Sequence, residues 1–370
     1  MALTDKLSAI GAAIREKTGK TDLMTLDQMP VEIASITTGG GGDIEVEPIV
    51  LTGQCQYMCS NQIASTYIEM YGNTISTEKI ETSADMFYRF KGSSIPFEVN
   101  MKSGTSQSMQ RMFQYASLEE LPKINNAKPN NISYMLQGCS YLRNIPEDWV
   151  DTWDFTSLNT SSGMCSYMFD QCRSLRKIPT SVLKNIWSKS ATATYVPYNS
   201  GWNGCYVLDE LVGVPIQQAS MTSNRCTSMV SSCSRLKNLI FEVNEDGSPK
   251  TATWKAQTID LTNVGYGARN NITTNFNSGI TLDKEVTDDT TYQALKNDPD
   301  WFTCSYNYCR YNHDSAVNTI NSLPDCSATG TNTIKFNGAS GSLTDGGAIN
   351  TLTADEIAVA AAKGWTVSLV

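Results

Sequence analysis

The chain has 370 residues, of which 40% are hydrophobic and only 18% charged, and its formal net charge is −9. This acidic balance argues against nucleic acid as a partner, because binding a phosphate backbone requires a basic face that releases counterions. No segment approaches the ~20 apolar residues needed to span a bilayer, and the charged N-terminal stretch is a poor secretory signal, so we expect no membrane insertion and folding in a cytoplasm.

Residues 1–36 are predicted to form a small α-helical module. An apolar residue recurs with the a/d spacing of a short coiled coil at Leu3, Leu7, Ile10 and Ile14. A second amphipathic segment follows, with Pro30 in its first turn, where a missing N–H costs little. Residues 37–42 are a glycine-rich linker. The two helices form either a packed hairpin or an attachment and oligomerisation module.

A repeated pattern begins after the linker. Its fullest copies are SYMLQGCSYLRNIP, at 133–146, and SYMFDQCRSLRKIP, at 166–179, with Met, Cys, Leu, Ile and Pro at the same offsets. Weaker copies begin at Met86, Met112, Gly201 and Met229, so six units follow one another at intervals of 23 to 33 residues. A unit of this length cannot bury its own apolar face, and it must therefore stack on its neighbours.

The spacing within a unit predicts its local structure. Met168 and Cys172, four residues apart, indicate one face of a short helical turn. The following residues 175–178 indicate a strand that ends at Pro179, and equivalent strands would pair in parallel. One repeat position carries a cysteine in four units, and we expect these thiols to form a reduced, buried column: Cys139, Cys172, Cys205 and Cys233.

The stretch MFDQCRSLRKIPTSVLKNI, at 168–186, resembles the BspA-type, or Treponema-type, leucine-rich repeat. That family's unit reads approximately A-F-x2-C-x2-L-x2-I-x-I-P-x2-V-x2-I, and Met stands here in place of its Ala. The resemblance implies an α/β repeat solenoid, leucine-rich-repeat-like, with a parallel sheet and short helices, preceded by the small α-helical module. The repeats with insertions would occupy 43–255, and C-terminal repeat units with a cap would occupy 256–370.

The C-terminal region is predicted to contain two helix–strand units. A helix from His313 would turn Ala316, Val317 and Ile320 inward and end before Pro324. The segment TNTIKFNG would form the first strand. TADEIAVAAAKGW would form the second helix, with Gly364 as its stop, and TVSLV the last strand.

Aromatic and amide side chains are concentrated in WFTCSYNYCRYNH, at 301–313. These rings either cover the end of the repeat core or form a host-recognition surface that stacks on a glycan or protein. The residues that would form such a surface are Trp301, Tyr306, Tyr308 and Tyr311.

Catalytic and metal chemistry have little support in the sequence. The single histidine stands beside Asp314, and no nucleophile elbow or phosphate-binding loop is present. Two cysteine pairs could supply zinc ligands, although their gaps of three and four residues differ from the usual two: Cys55 with Cys59, and Cys304 with Cys309. Three carboxylates near two tryptophans would suit a glycan-cleaving pair, but a turn rich in Asp is more typical of a solvated loop: Asp148, Asp151 and Asp154. We expect no enzymatic activity, cofactor or metal.

Both ends of the chain indicate a function. The run KTGKTDLMTLDQM resembles N-terminal segments of tail and fibre proteins from bacteriophages of low-GC Gram-positive bacteria, and LTADEIAVAAAKGWTV resembles the last unit of repeat proteins from phages and gut-bacterial surfaces. The resemblance implies a structural virion protein, a tail fibre or receptor-binding protein that engages a host surface glycan or protein. Its N-terminal module would bind other virion proteins and assemble a homotrimer. The alternatives are a head fibre or capsid decoration protein, a bacterial surface adhesin, and a depolymerase.

Overall fold

The structure is a computed structural model. It describes residues 49–60, 75–158, 166–188, 200–216, 313–336 and 352–369, residues 221–264 except 223, 227, 234, 235, 237 and 263, and the isolated Gly11, Ala12 and Ile68. Gly11 and Ala12 are helical. The predicted coiled-coil residues Leu3, Leu7, Ile10 and Ile14 lie outside the described part of the chain.

The continuous described segments contain short strands, three α-helices and one 3₁₀ turn. The strands are β1 (Ile49–Gln54), β2 (Ile75–Thr82), β3 (Val99–Asn100), β4 (Gln107–Ser108), β5 (Ile124–Asn125), β6 (Pro129–Asn131), β7 (Glu210–Val214), β8 (Asn238–Phe241), β9 (Thr258–Leu261), β10 (Asn332–Phe336) and β11 (Trp365–Leu369). The helices are α1 (Thr180–Ser188), α2 (His313–Ser322) and α3 (Ala354–Ala362), and Phe155–Ser157 form one 3₁₀ turn.

The strands form five separate sheets, and every pairing between named strands is parallel. Four sheets have two strands, β1 with β2, β3 with β5, β4 with β6, and β7 with β8. The fifth has the order β11-β10-β9 and joins the C-terminal residues to the end of the repeats. Between these sheets, the strand segments at 142–145 and 175–178 form isolated parallel bridges instead of ladders, at Asn144 with Lys177 and at Lys177 with Glu210.

The Met-to-Cys segment of each unit is a pair of tight turns. In the unit at 132–139, the Met135 N–H donates to the Ile132 carbonyl at 3.2 Å, and the Cys139 N–H donates to the Leu136 carbonyl at 3.0 Å. The third residue of each turn has a left-handed backbone, with φ of 58° at Tyr134 and 72° at Gly138. A positive φ at that position is the signature of a type II turn and is incompatible with an α-helix.

Successive units are joined through these turns by backbone hydrogen bonds. The N–H groups of Tyr134, Leu136 and Gly138 donate to three carbonyls of the following unit, at 2.9, 3.0 and 2.8 Å. The preceding unit repeats the arrangement, since the Arg111, Phe113 and Tyr115 N–H groups donate to carbonyls of the unit at 132–139 at 3.0, 3.0 and 2.8 Å. Each turn therefore satisfies half of its N–H groups internally and half through its neighbour.

The predicted leucine-rich-repeat solenoid is wrong in two respects. Its continuous parallel sheet is replaced by the five separate sheets, because a proline closes the strand segments at Pro122, Pro146 and Pro179 and cannot donate to a ladder. Its short helices are replaced by turns, because Tyr167, directly before the segment predicted as helical, and Gln171, within it, are left-handed, with φ of 58° and 59°.

The buried cysteine column is confirmed. Each thiol donates to a carbonyl of the preceding unit: Cys139 to Phe113 at 3.0 Å, and Cys172, Cys205 and Cys233 to Leu136, Phe169 and Trp202 at 3.1 Å each. That same carbonyl also accepts an N–H of its own unit, which comes from Ala116 for Phe113 and from Cys139, Cys172 and Cys205 for the other three. Cysteine suits this position because it is small and apolar and can donate one weak hydrogen bond. The thiol bonds to the second lone pair of a carbonyl oxygen whose first lone pair already accepts a backbone N–H.

The core runs without interruption through the units into the C-terminal region. Phe87 and Phe113 stack between neighbouring units with ring centroids 5.4 Å apart. At the other end, the Trp254 and Trp365 rings meet edge to face at 6.2 Å, and the Trp365 indole donates to the Pro324 carbonyl at 2.9 Å. The predicted C-terminal helices and strands are confirmed as α2, β10, α3 and β11, with Ala316 and Ile320 buried and Val317 half-buried.

Thiol titration checks the column. Eight cysteines are buried and free in the described residues, and burial raises the pKa of Cys139 and of Cys59 to about 12, so almost no thiolate forms at pH 8. We expect at most three of the eleven thiols to react with an aromatic disulfide in the native protein, and at least eight to react after denaturation without reductant. More than three reactive thiols in the native state would contradict the buried column.

Gly364 is predicted to be required for the C-terminal unit. Its φ is +78°, and an added Cβ would lie within 2.9 Å of three backbone atoms of Cys326 and Gly330. We expect Gly364→Ala to lower the free energy of unfolding by at least ~3 kcal/mol. Gly247 is a matched control, since its φ is +81° and nothing lies within 4 Å of the added Cβ. Gly247→Ala should cost only about 1 kcal/mol in urea unfolding; equal losses would refute the steric argument.

Candidate recognition surface

The left-handed residues of the turns align in two columns along one edge of the stacked units, which we call the turn face. The first column holds Tyr57, Asp85, Arg111, Tyr134, Tyr167 and Ser200, whose φ angles lie between 53° and 60°. The second holds Arg89, Tyr115, Gly138, Gln171, Gly204 and Ser232, with φ between 55° and 72°. Only two of these twelve positions are glycine, although glycine is the residue that adopts this backbone without strain.

Tyrosine at a left-handed position is the unusual feature of the turn face. A bulky residue with positive φ is a conformational outlier, and the strain is roughly 1–2 kcal/mol at each site. Tyr57, Tyr115, Tyr134 and Tyr167 all accept this strain. Tyr57 and Tyr115 are nevertheless 50% and 40% exposed, so a large part of each residue remains accessible to a partner. Strained residues of this kind cluster at functional sites, which makes the tyrosines candidates for contact with a partner.

Neighbouring units order the first column through side-chain pairs. The Asp85 carboxylate binds the Arg111 guanidinium through two contacts, at 2.9 and 3.0 Å. Further along, the Tyr134 and Tyr167 rings stack at 5.0 Å with an angle of 3° between their planes. Because each pair spans two units, the side chains are held in place before any partner arrives.

A cation–π cluster fills the start of the second column. The Arg89 guanidinium lies 5.1 Å from the centre of the Tyr88 ring and 6.0 Å from that of Tyr115. Tyr115 covers Gly138 of the next unit, where an added Cβ would approach its ring carbons to 2.3 Å. Arg173 and Tyr206 form a similar pair at 5.6 Å. Arginine and tyrosine are the residue types enriched at protein contact hot spots.

A ladder of polar side chains lies between the two columns in the turns. Gln114 donates to Gln137, Gln137 donates to one Asp170 oxygen at 2.7 Å, and Asn203 donates to the other at 2.8 Å. Burial raises the pKa of Asp170, and the hydrogen bonds from Gln137 and Asn203 oppose that rise. The carboxylate therefore acts as the acceptor on which a hydrogen-bond chain through four units converges.

The residues predicted to form the recognition surface, Trp301, Tyr306, Tyr308 and Tyr311, lie outside the described residues. The turn face was missed because tyrosine is not a turn-forming residue. A usable signal was nevertheless present, since a Tyr-Met dipeptide recurs at Tyr57, Tyr134 and Tyr167.

Two of the three carboxylates considered for acid–base chemistry have structural contacts. Asp154 caps the 3₁₀ turn and pairs with Lys128 at 2.8 Å, and these hydrogen bonds lower its pKa to about 2. Asp151 accepts from Asn185 at 2.6 Å. The two neighbouring tryptophans, Trp149 and Trp153, are buried, and their indoles donate to backbone carbonyls at 3.1 Å.

The other candidates for chemistry that lie in the described residues are also engaged or buried. His313 opens α2 and contacts Asp314 at 3.3 Å and Glu356 of α3 at 3.2 Å. Cys55 and Cys59 are buried, and Cys304 and Cys309 lie outside the described residues. Among the residues that the structure describes, no three His, Cys, Asp or Glu side chains are grouped as metal ligands, and no helix has the length and apolar character of a membrane span.

Comparisons with protein-family models, with curated proteins and with solved structures found no match to this chain. The residues and contacts of the turn face are therefore the basis for the functional argument below.

Removing the acceptor at Asp170 tests the polar ladder. Asp170→Leu leaves the amides of Gln137 and Asn203 without their acceptor, and we expect a loss of about 2–4 kcal/mol in urea unfolding. Asp170→Asn keeps one acceptor and should cost less. The free energy of unfolding of the wild type should rise relative to that of Asp170→Asn as pH falls. The reason is that a carboxyl whose pKa is raised by folding favours its protonated form in the native state. A leucine variant as stable as wild type would contradict this role.

Proposed function

We propose that the protein is a structural, non-enzymatic component of a phage virion, a tail fibre or receptor-binding protein whose turn face contacts the host cell surface. The observation that carries this proposal is the set of exposed tyrosines at left-handed positions, Tyr57 and Tyr115 above all. They cost conformational energy and keep a large exposed fraction, so contact with a partner is the physical role that best accounts for them.

The chemistry of the turn face supports recognition by contact. Tyrosine offers an apolar ring and a hydroxyl with few rotatable bonds, so binding immobilises it at low entropic cost. The pairing of Arg89 with two tyrosine rings adds a cation that is already positioned. Such a surface suits a protein or glycan that presents both apolar and hydroxyl groups. The N-terminal module would attach the protein to other virion proteins and assemble it as a homotrimer.

Competition with phage adsorption tests the proposal. Purified protein should reduce adsorption of the phage that carries this gene, and Tyr57→Gly and Tyr115→Gly should each weaken that competition about tenfold or more. Both variants should stay folded, with stability within ~1 kcal/mol of wild type, because glycine relieves the left-handed strain while it increases the entropy of the unfolded chain.

Tyr141→Ala is the matched control, since Tyr141 is 41% exposed but has no left-handed backbone. It should compete as wild type does. Immunogold labelling of intact virions gives a second readout, and we expect label at the tail. Label at the head, or wild-type protein that leaves adsorption unchanged, would refute the assignment as a tail receptor-binding protein.

A further inference from the structure

A concavity lies away from the column residues, where the strand segments of three successive units end. Its volume is about 610 Å³, and its lining includes Ser93, Glu119, Glu120, Leu121, Arg143 and Asn144. The backbone brings these segments together, since the Glu119 N–H donates to the Ser93 carbonyl at 2.8 Å and the Arg143 N–H to the Glu119 carbonyl at 3.5 Å. The volume falls within the roughly 300–1,000 Å³ of small-molecule sites.

Several polar groups in the concavity have unused hydrogen-bonding capacity. The side chains of Glu119, Glu120 and Asn144 are exposed and form no hydrogen bond or ion pair with another described residue. Two units further along the chain, the equivalent pair of neighbouring strand segments differs. There the Asp209 carboxylate pairs with Arg176 of the preceding unit at 3.3 Å. The concavity therefore gathers acceptors and donors that the fold itself does not use.

We propose that this concavity binds a neutral saccharide of about one or two rings. Neighbouring sugar hydroxyls each donate and accept, so they match a carboxylate that accepts beside an amide that does both. The Leu121 side chain, which is half-buried, offers an apolar contact for the C–H face of a ring. Two carboxylates against one guanidinium leave the lining net negative, which disfavours phosphorylated, sulfated and carboxylated ligands.

The inference deepens the proposed function, because it names a ligand class for a host-surface protein, but its test does not depend on virions. Saturation-transfer NMR with the full chain would use glucose, galactose, N-acetylglucosamine, rhamnose, maltose and lactose as probes, with glucose 1-phosphate and N-acetylneuraminic acid as anionic probes. We expect transfer to at least one neutral sugar and a stronger signal for it than for either anion.

Variants then locate the binding. Glu120→Gln and Asn144→Ala should each weaken affinity for the bound sugar about tenfold, which corresponds to one lost hydrogen bond of ~1.4 kcal/mol. Both residues are exposed, so circular dichroism should show folded proteins. Glu245→Gln, at an exposed site in another loop, is the control and should bind as wild type does.

Transfer to none of the six neutral sugars, tighter binding of an anion, or neutral-sugar binding unchanged in Glu120→Gln and Asn144→Ala would each overturn the inference. Sugar binding together with a failed adsorption experiment would retain this site and reject the receptor-binding role. Successful competition with phage adsorption without sugar binding would retain the receptor-binding role and reject this site.

Discussion

The structure depends on hydrogen bonds that pass from the turns of one unit to the turns of the next. A left-handed residue near each end of the Met-to-Cys segment rotates alternate N–H groups outward, and these meet carbonyls of the following unit at 2.8–3.0 Å around the unit at 132–139. The remaining N–H groups close the turns. Backbone polar groups in the core are thereby satisfied without an α-helix, which lets large side chains stack directly from unit to unit.

The sequence predicted which residues face inward better than it predicted the backbone that carries them. The recurring Met, Cys, Leu and Ile identify the buried columns, and caps and stops identify α2 and α3. The error over helix and turn arose because Met168 and Cys172, four residues apart, share a side in either structure. The left-handed φ at Tyr167 and Gln171 is not marked by glycine, the residue type from which a left-handed position is usually predicted. The candidate surface was missed for the same reason.

The backbone hydrogen bonds between units also explain why interior and surface residues have different roles. Inside, the thiol of Cys172 and the carboxylate of Asp170 each join neighbouring units, so their chemistry sets the register. At the surface, the left-handed positions require only a residue that tolerates a positive φ, and the side chain there can be that of tyrosine, arginine or serine, or absent as in glycine. A scaffold of this kind can change what it contacts without changing how it stacks, and its surface residues are therefore where its function is to be sought.

The most direct test of the stacking is NMR detection of couplings across hydrogen bonds in isotope-labelled protein. The Phe113 amide nitrogen donates to the Met135 carbonyl at 3.0 Å, so a coupling between these two residues is expected, with matching couplings from Leu136 to Met168. An α-helix would instead couple Phe113 to Met109, four residues earlier. A Phe113–Met135 coupling would establish the backbone hydrogen bonds between the turns of successive units, and a Phe113–Met109 coupling would contradict them.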